Sequence, residues 1–289
     1  MRYSKDWEDY SLLDTSDGEK LERFGDVTLI RPDPQVIWNT EKGEIWNSAD
    51  ARYIRSDKGG GHWENYRSTP SEWTINYKEL KFVIRPTGFK HTGIFPEQAT
   101  NWDLCYNKIK NRIKEGKSVS VLNLFAYTGG ATLACAAAGA QVCHVDASKG
   151  IVTWARENAQ VSGLSEKPIR WIVDDCMKFI EREIRRGRKY DVIIMDPPSY
   201  GRGPGGEVWK LEEKIFPLLE LCTGVLSDDA ILFLLNSYTA GLNPAAMKYL
   251  LSVTIGKKFG GTTSADEIGL YCKTANEVLP CGSTAIWER

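Results

Sequence analysis

The chain has 289 residues, 42 % hydrophobic and 26 % charged, the balance of an ordinary globular protein large enough for one big domain or two. A formal net charge of −1 excludes a strongly basic nucleic-acid binder and confines any nucleic-acid surface to a local patch. No apolar run reaches the roughly 18 residues of a membrane span, and Met1-Arg-Tyr-Ser-Lys-Asp-Trp-Glu-Asp9 contains no apolar signal core.

Residues 1–95 hold five of the ten tryptophans and many turn formers. Short β-like runs recur at residues 27–30, 36–38, 73–77 and 80–84. They are separated by Arg31-Pro-Asp-Pro34, Glu41-Lys-Gly-Glu44 and Lys58-Gly-Gly-Gly61. That punctuation predicts a small antiparallel β domain, with Gly59–Gly61 as a loop tip. From residue 96 helix and strand alternate. Trp102, Cys105, Tyr106 and Ile109 give helical spacing over residues 96–114. Strands are predicted at 119–125, 141–146, 169–173, 192–195 and 230–235, and helices at 131–138, 149–161, 176–186, 212–225 and 244–253. Two late runs, 268–272 and 283–287, are placed to close the sheet as an antiparallel pair. Repeated β–α alternation predicts a doubly wound α/β sheet with helices on both faces. The expected organisation is therefore a β domain at 1–95 and an α/β domain at 96–289. Seven cysteines without a Cys-x-x-Cys pair, and three well-separated histidines, read as reduced thiols of a cytoplasmic protein with no zinc site.

Four constellations carry chemistry. Strand one runs into Asn123-Leu-Phe-Ala-Tyr-Thr-Gly129-Gly130 and then a helix of small residues. Glycine there serves a plain turn or lets the backbone approach a ligand closely. The dinucleotide G-x-G-x-x-G and the Walker lysine are both absent. Asp146 ends strand two, where a carboxylate can accept ribose hydroxyls or help cap the next helix beside Ser148. Asp174-Asp175 end strand three. Asp175, further past the strand, is the candidate for an exocyclic amine; the alternative is a capping or solvated acid pair. The fourth is Val192-Ile-Ile-Met-Asp196-Pro-Pro-Ser-Tyr200. Two prolines stop an apolar strand and leave Asp196 at its carboxyl end, the edge where open α/β sheets bind ligands. Beyond it, residues 201–210, with Arg202, Trp209 and Lys210, read as a lid over a substrate or as a connector. Arg182, Arg185, Arg186, Arg188 and Lys189 form a patch that either meets phosphates or is a solvated helix end.

Phe125-Ala-Tyr-Thr-Gly-Gly130, Val145-Asp-Ala-Ser148 and Met195-Asp-Pro-Pro-Ser-Tyr200 resemble the class I S-adenosylmethionine-dependent methyltransferases, and among them the bacterial large-subunit ribosomal RNA methyltransferase group. The segment His91-Thr-Gly-Ile-Phe-Pro-Glu-Gln98 is similar to the part of that group that precedes the first sheet strand. The resemblance implies a Rossmann-like seven-stranded sheet and S-adenosyl-L-methionine as cofactor. Phe95 and Gln98 would contact that cofactor. Phe125, Tyr127, Thr128 and Gly129 would surround its methionine part, Asp146 and Ser148 its ribose, and Asp175 its adenine. Asp196 would sit between the cofactor and the acceptor, and Pro197 and Tyr200 would face that acceptor, a base of ribosomal or other structured RNA, with the β domain on the substrate side. Two departures matter. The N-terminal region lacks basic character, and strand five ends in Asn236-Ser-Tyr238 rather than in cysteine. Methylation at cytosine C5 needs a thiolate nucleophile, so a nitrogen acceptor is expected. A small-molecule or protein methyltransferase and a nucleotide-dependent oxidoreductase are the alternatives.

Overall fold

A computed structural model describes residues 1–56, 59–203, 205–239 and 241–289; Lys58, and Pro204 in the 201–210 loop, lie outside the described residues. The chain divides into two compact units, Met1–Ala99 with Gly269–Cys281, and Thr100–Ile268 with Gly282–Arg289.

The first unit carries β1 (Tyr10–Ser16), β2 (Glu19–Phe24), β3 (Val27–Pro32), β4 (Ala51–Arg55), β5 (Gly61–Asn65), β6 (Trp73–Tyr77) and β7 (Leu80–Ile84). β1, β2 and β3 are antiparallel, β3 pairs parallel with β4, β4 pairs antiparallel with β5, and β6–β7 form a separate hairpin. Leu12, Leu21, Phe24 and Leu29 are buried. So is Glu22, whose carboxylate takes Arg31 Nε at 2.6 Å, Arg31 Nη2 at 2.7 Å and the Tyr10 hydroxyl at 2.7 Å. The run at 36–38, expected as a strand, is not one. Its carbonyls instead accept N–H groups from the β1–β2 turn, Asp17 to Trp38 at 2.9 Å and Gly18 to Val36 at 3.1 Å, and Ile37 is left 90 % exposed.

The second unit contains α1 (Ala99–Lys114), β8 (Ser120–Leu124), α2 (Gly130–Ala137), β9 (Gln141–Asp146), α3 (Lys149–Val161), β10 (Ile169–Val173), α4 (Cys176–Arg185) and β11 (Val192–Met195). There follow β12 (Tyr200–Arg202), β13 (Val208–Lys210), α5 (Leu211–Cys222), β14 (Leu232–Ser237), α6 (Pro244–Leu251), β15 (Thr262–Cys272) and β16 (Glu277–Glu288). The expected helix at 96–114 begins as a 3₁₀ turn, Pro96–Gln98, before α1. Seven of these strands run in the order β10-β9-β8-β11-β14-β16-β15, and β12 and β13 form a separate pair. β10, β9, β8, β11 and β14 are parallel, and β16 is antiparallel to β14. Continuous apolar strands such as Val192–Met195 follow from burial on both faces. Leu122, Leu124, Ile193 and Met195 point into one core with Phe179, Leu218 and Leu219. Val121, Val192, Ile194 and Leu232 point into the other with Ile109 and Cys135. Gly130 is required where α2 meets α1, since a Cβ there would lie 2.4 Å from Trp102 Cζ2. The tip of the last hairpin belongs to the first unit, where Cys272 of β15 pairs with Leu12 of β1.

Candidate active site

The parallel register aligns the carboxyl ends of four strands in the second unit. Met195 pairs with Leu124, Leu124 with Val145, and Asp146 with Val173. The loops that carry the sequence motifs therefore leave from one edge.

The loop after β8 has an unusual backbone. Phe125 and Tyr127 have φ of 53° and 49°, and Gly129 has 90°. Left-handed conformations in non-glycine residues cost roughly 1–2 kcal/mol each and persist only where the surroundings hold them. Here they are held. Ala126 N–H donates to Val145 O at 3.1 Å, and Tyr127 N–H donates to Asp146 Oδ2 at 3.0 Å. Asn158 Nδ2 of α3 donates to Thr128 O at 2.9 Å. A Cβ on Gly129 would meet Leu133 at 3.1 Å and Ala155 at 3.3 Å, so the loop is pressed onto α2 and α3.

Asp146 is half-buried. Its second oxygen, Oδ1, accepts the Ser148 N–H at 2.9 Å, and Ser148 Oγ caps α3 at Ile151 N–H. Burial pushes its carboxyl above the usual aspartate range, against the lowering pull of the Ser148 and Tyr127 N–H groups. The acid pair after β10 is divided in role. Asp174 Oδ1 accepts the Asp175 N–H at 2.9 Å while Oδ2 meets Arg182, so this acid is spent inside the protein. Asp175 caps α4 through Oδ1 to Lys178 N–H at 3.0 Å.

At the β11 end, Asp196 is half-buried, Pro197 buried and Tyr200 55 % exposed. Of the run 201–210, read from sequence as lid or connector, Gly201–Arg202 and Val208–Lys210 are strand: β12 and β13 pair antiparallel as a hairpin, Tyr200 with Lys210, Gly201 with Trp209 and Arg202 with Val208. Trp209 anchors it. The indole Nε1 donates to Pro198 O at 2.6 Å, and the ring lies 4.9 Å from that of Phe125 at 57°. Trp209 thus ties the proline corner to the glycine loop, a link that sequence reasoning missed. Lys178 of α4 pairs with Glu207 of the hairpin, and Glu207 also accepts the Gly205 N–H at 2.9 Å. At the β14 end Asn236 is buried, accepting Asn101 Nδ2 at 3.0 Å and Thr284 Oγ1 at 2.7 Å.

The edge of the second unit thus carries Phe125, Tyr127, Thr128, Gly129, Asp146, Ser148, Asp175, Asp196, Pro197 and Tyr200. Phe95 and Gln98 belong to the first unit, where Phe95 faces the His91 ring at 5.3 Å and Gln98 is buried. Among the described residues no group of His, Cys, Asp and Glu is arranged to hold a metal ion, and no helix is long and apolar enough to cross a membrane.

A strained glycine loop, an acid after each of the next two strands and a proline corner on the fourth suit a nucleoside ligand rather than a dinucleotide. The chain belongs to the S-adenosylmethionine-dependent methyltransferases, whose family model matches residues 45–219. Over 99 % of its length and 92 % of the other chain, it superposes with a TM-score of 0.92 and 37 % identity on the SAM-dependent methyltransferase from Agrobacterium tumefaciens. SMU.776 complexed with SAH shares the fold, with a TM-score of 0.74 at 19 % identity over 98 % of this chain and 76 % of that one. Curated relatives include the ribosomal RNA large subunit methyltransferase K/L of Shewanella loihica, 32 % identical over 179 residues, 62 % of this chain and 23 % of that protein. That of Shewanella baltica is 36 % identical over 144 residues, 50 % of this chain and 19 % of that protein. The chain's match thus spans under a quarter of the length of these relatives.

Proposed function

We propose that this methyltransferase acts on a base nitrogen of a structured RNA, ribosomal RNA foremost. The observation that carries the reading is the Asp196-Pro-Pro-Ser-Tyr200 corner, braced by Trp209 against the glycine loop. The RNA class draws on the curated relatives, which are ribosomal RNA large subunit methyltransferases.

The residues fit the cofactor: a left-handed loop that a Cβ would obstruct, and a carboxylate already oriented by two backbone N–H groups. Phe125, Tyr127, Thr128 and Gly129 would hold the methionine part, Asp146 and Ser148 the ribose, and Asp175 the adenine. Phe95 and Gln98 are proposed as further cofactor contacts on the resemblance of their segment alone. The bound cofactor supplies a methyl group already activated by its sulfonium, which leaves alignment to the protein. Asp196 and the Pro197 carbonyl accept the N–H of the acceptor, and the Tyr200 ring stacks on its face. The exposure of Tyr200 leaves that ring available. A share in acceptor binding is proposed for the first unit.

Cysteine chemistry opposes a cytosine C5 acceptor. The place of a thiol after strand five is taken by Asn236, which is engaged by Asn101 and Thr284. Cys176 and Cys222 are buried, and burial pushes both thiols well above their usual range, away from the thiolate. Seven free cysteines agree with a reducing, cytoplasmic setting.

The test is transfer of labelled methyl groups to ribosomal RNA by wild type and Asp196→Ala. Incorporation by wild type and a loss of about a hundredfold or more in the variant are expected. No incorporation into RNA by wild type would overturn the RNA reading. The net charge of −1 favours a second reading, a small-molecule acceptor. Acceptor binding that is insensitive to salt would support it.

A further inference from the structure

A cleft in the first unit lies outside every motif discussed above. It has a volume of about 440 Å³, and Tyr3, Lys5, Trp7, Leu270, Tyr271 and Lys273 form most of its lining. We infer that this cleft holds an unstacked nucleotide of the RNA substrate; the inference rests on the RNA reading proposed above.

Three features argue for that occupant. The walls are aromatic. Tyr3 and Tyr271 stack with centroids 6.1 Å apart and ring planes 18° apart, while Trp7 lies 4.6 Å from Tyr77 and 5.7 Å from Tyr10. The size falls within the range of small-molecule sites, roughly 300–1,000 Å³, and suits one nucleotide rather than a folded protein element. The charge is of one sign. Lys5 and Lys273 line the cleft with no carboxylate beside them in the lining, both are exposed, and among the described residues neither ammonium is in an ion pair. Lys5 Nζ lies 5.5 Å from the centre of the Tyr3 ring. Cations beside aromatic faces combine phosphate attraction with base stacking, the pairing by which single strands are held.

The polar groups deeper in the wall are committed elsewhere. Trp7 Nε1 donates to Pro96 O at 3.0 Å, the Tyr10 hydroxyl to Glu22 at 2.7 Å, and Ser4 Oγ bonds the Tyr77 hydroxyl at 2.7 Å. Little remains to read a base edge. The cleft grips by stacking and charge, with weak dependence on base identity.

The test uses the full chain and a fluorescent single-stranded RNA 12-mer, with S-adenosylhomocysteine binding measured in parallel. Tyr3→Ala with Tyr271→Ala should weaken RNA binding tenfold or more. Lys5→Glu with Lys273→Glu, both at exposed positions, should flatten the dependence of log K on log[salt] by about 0.7 for each phosphate no longer neutralised. S-adenosylhomocysteine affinity should be unchanged in both. Wild-type binding of RNA that the two variants share in full overturns the cleft alone. A wild type that binds S-adenosylhomocysteine but no RNA overturns the RNA reading and the cleft with it. Loss of methyl transfer to intact ribosomal particles, with transfer to protein-free RNA retained, overturns the nucleotide assignment and points to a protein in the cleft.

Discussion

The Tyr127 N–H reaches Asp146 Oδ2 at 3.0 Å, so a left-handed residue in the loop after β8 is held by the acid that ends β9. The glycine loop and the carboxylate were separate signals in the sequence. In the structure they are one object, and disturbing either disturbs both.

Replacing Asp146 with Asn tests that coupling. An amide must turn its NH₂ toward either the Tyr127 or the Ser148 N–H, which removes one acceptor. A lost charged hydrogen bond is worth about 1.5–3 kcal/mol, so S-adenosylhomocysteine affinity should fall at least about tenfold in calorimetry. Burial raises the Asp146 carboxyl above the roughly 3.9 of free aspartate. Protonation removes the acceptor charge, so wild-type affinity should decline with falling pH before that ordinary value is reached. In Asp146→Asn this step should be absent. An unchanged affinity in the variant would remove Asp146 from the site.

Gly129→Ala and Gly150→Ala should shift stability in opposite directions. Gly129 has φ of 90°, and Leu133 and Ala155 stand 3.1 and 3.3 Å from where its Cβ would be, so alanine should cost about 1–3 kcal/mol. Gly150 lies in the first turn of α3 with nothing within 4 Å of its would-be Cβ. Alanine there should gain about 0.5–1 kcal/mol through helix propensity. Urea midpoints measure both, and equal shifts would contradict the backbone argument.

The parallel strands were legible because burial on both faces writes itself as uninterrupted apolar runs, as in Val192–Met195. The strands β1 and β2 were not. Glu19–Phe24 sets its two apolar residues, Leu21 and Phe24, three apart among charges, a spacing that suits a surface helix, yet Glu22 is fully buried beside Arg31. Local pattern does not reveal a distant counter-charge. For the same reason Asp196, Asp146 and the glycine loop could be found from strand ends, whereas the packing of Trp209 on Phe125 could not. It depends on how the β12–β13 hairpin folds back, which no spacing in the sequence encodes.

The buried ionic cluster of the first unit makes that unit acid-sensitive. Burial pushes the Glu22 carboxyl up, but Arg31, Lys20 and the hydrogen bonds from Arg31 and Tyr10 prevail and hold it at about 2. A carboxyl lowered in the folded state contributes stability above its unfolded value, about 4.3, and loses it as pH falls toward 2. Glu22→Gln leaves Arg31 buried without its counter-charge and should cost about 3–5 kcal/mol at pH 7. The penalty should shrink as the pH approaches 2. Unfolding curves across pH test it, and a pH-independent difference would show that the charge is not what matters.

Trp209→Phe separates positioning from binding. The ring against Phe125 is kept, while the 2.6 Å bond from Nε1 to Pro198 O is removed. Pro198 is exposed, so water can satisfy its carbonyl, and stability should fall by only about 1 kcal/mol. The corner that carries Asp196 and Tyr200 loses its brace, however, and small misplacements at a reacting centre can cost about a hundredfold. The expected result is a drop in kcat of roughly ten- to a hundredfold, with S-adenosylhomocysteine affinity within about threefold of wild type. Trp209→Ala, which also empties the space against Phe125, should lose more of both kcat and stability. If Trp209→Phe instead weakens S-adenosylhomocysteine binding as much as it slows transfer, the indole serves the loop after β8 rather than the corner at Asp196.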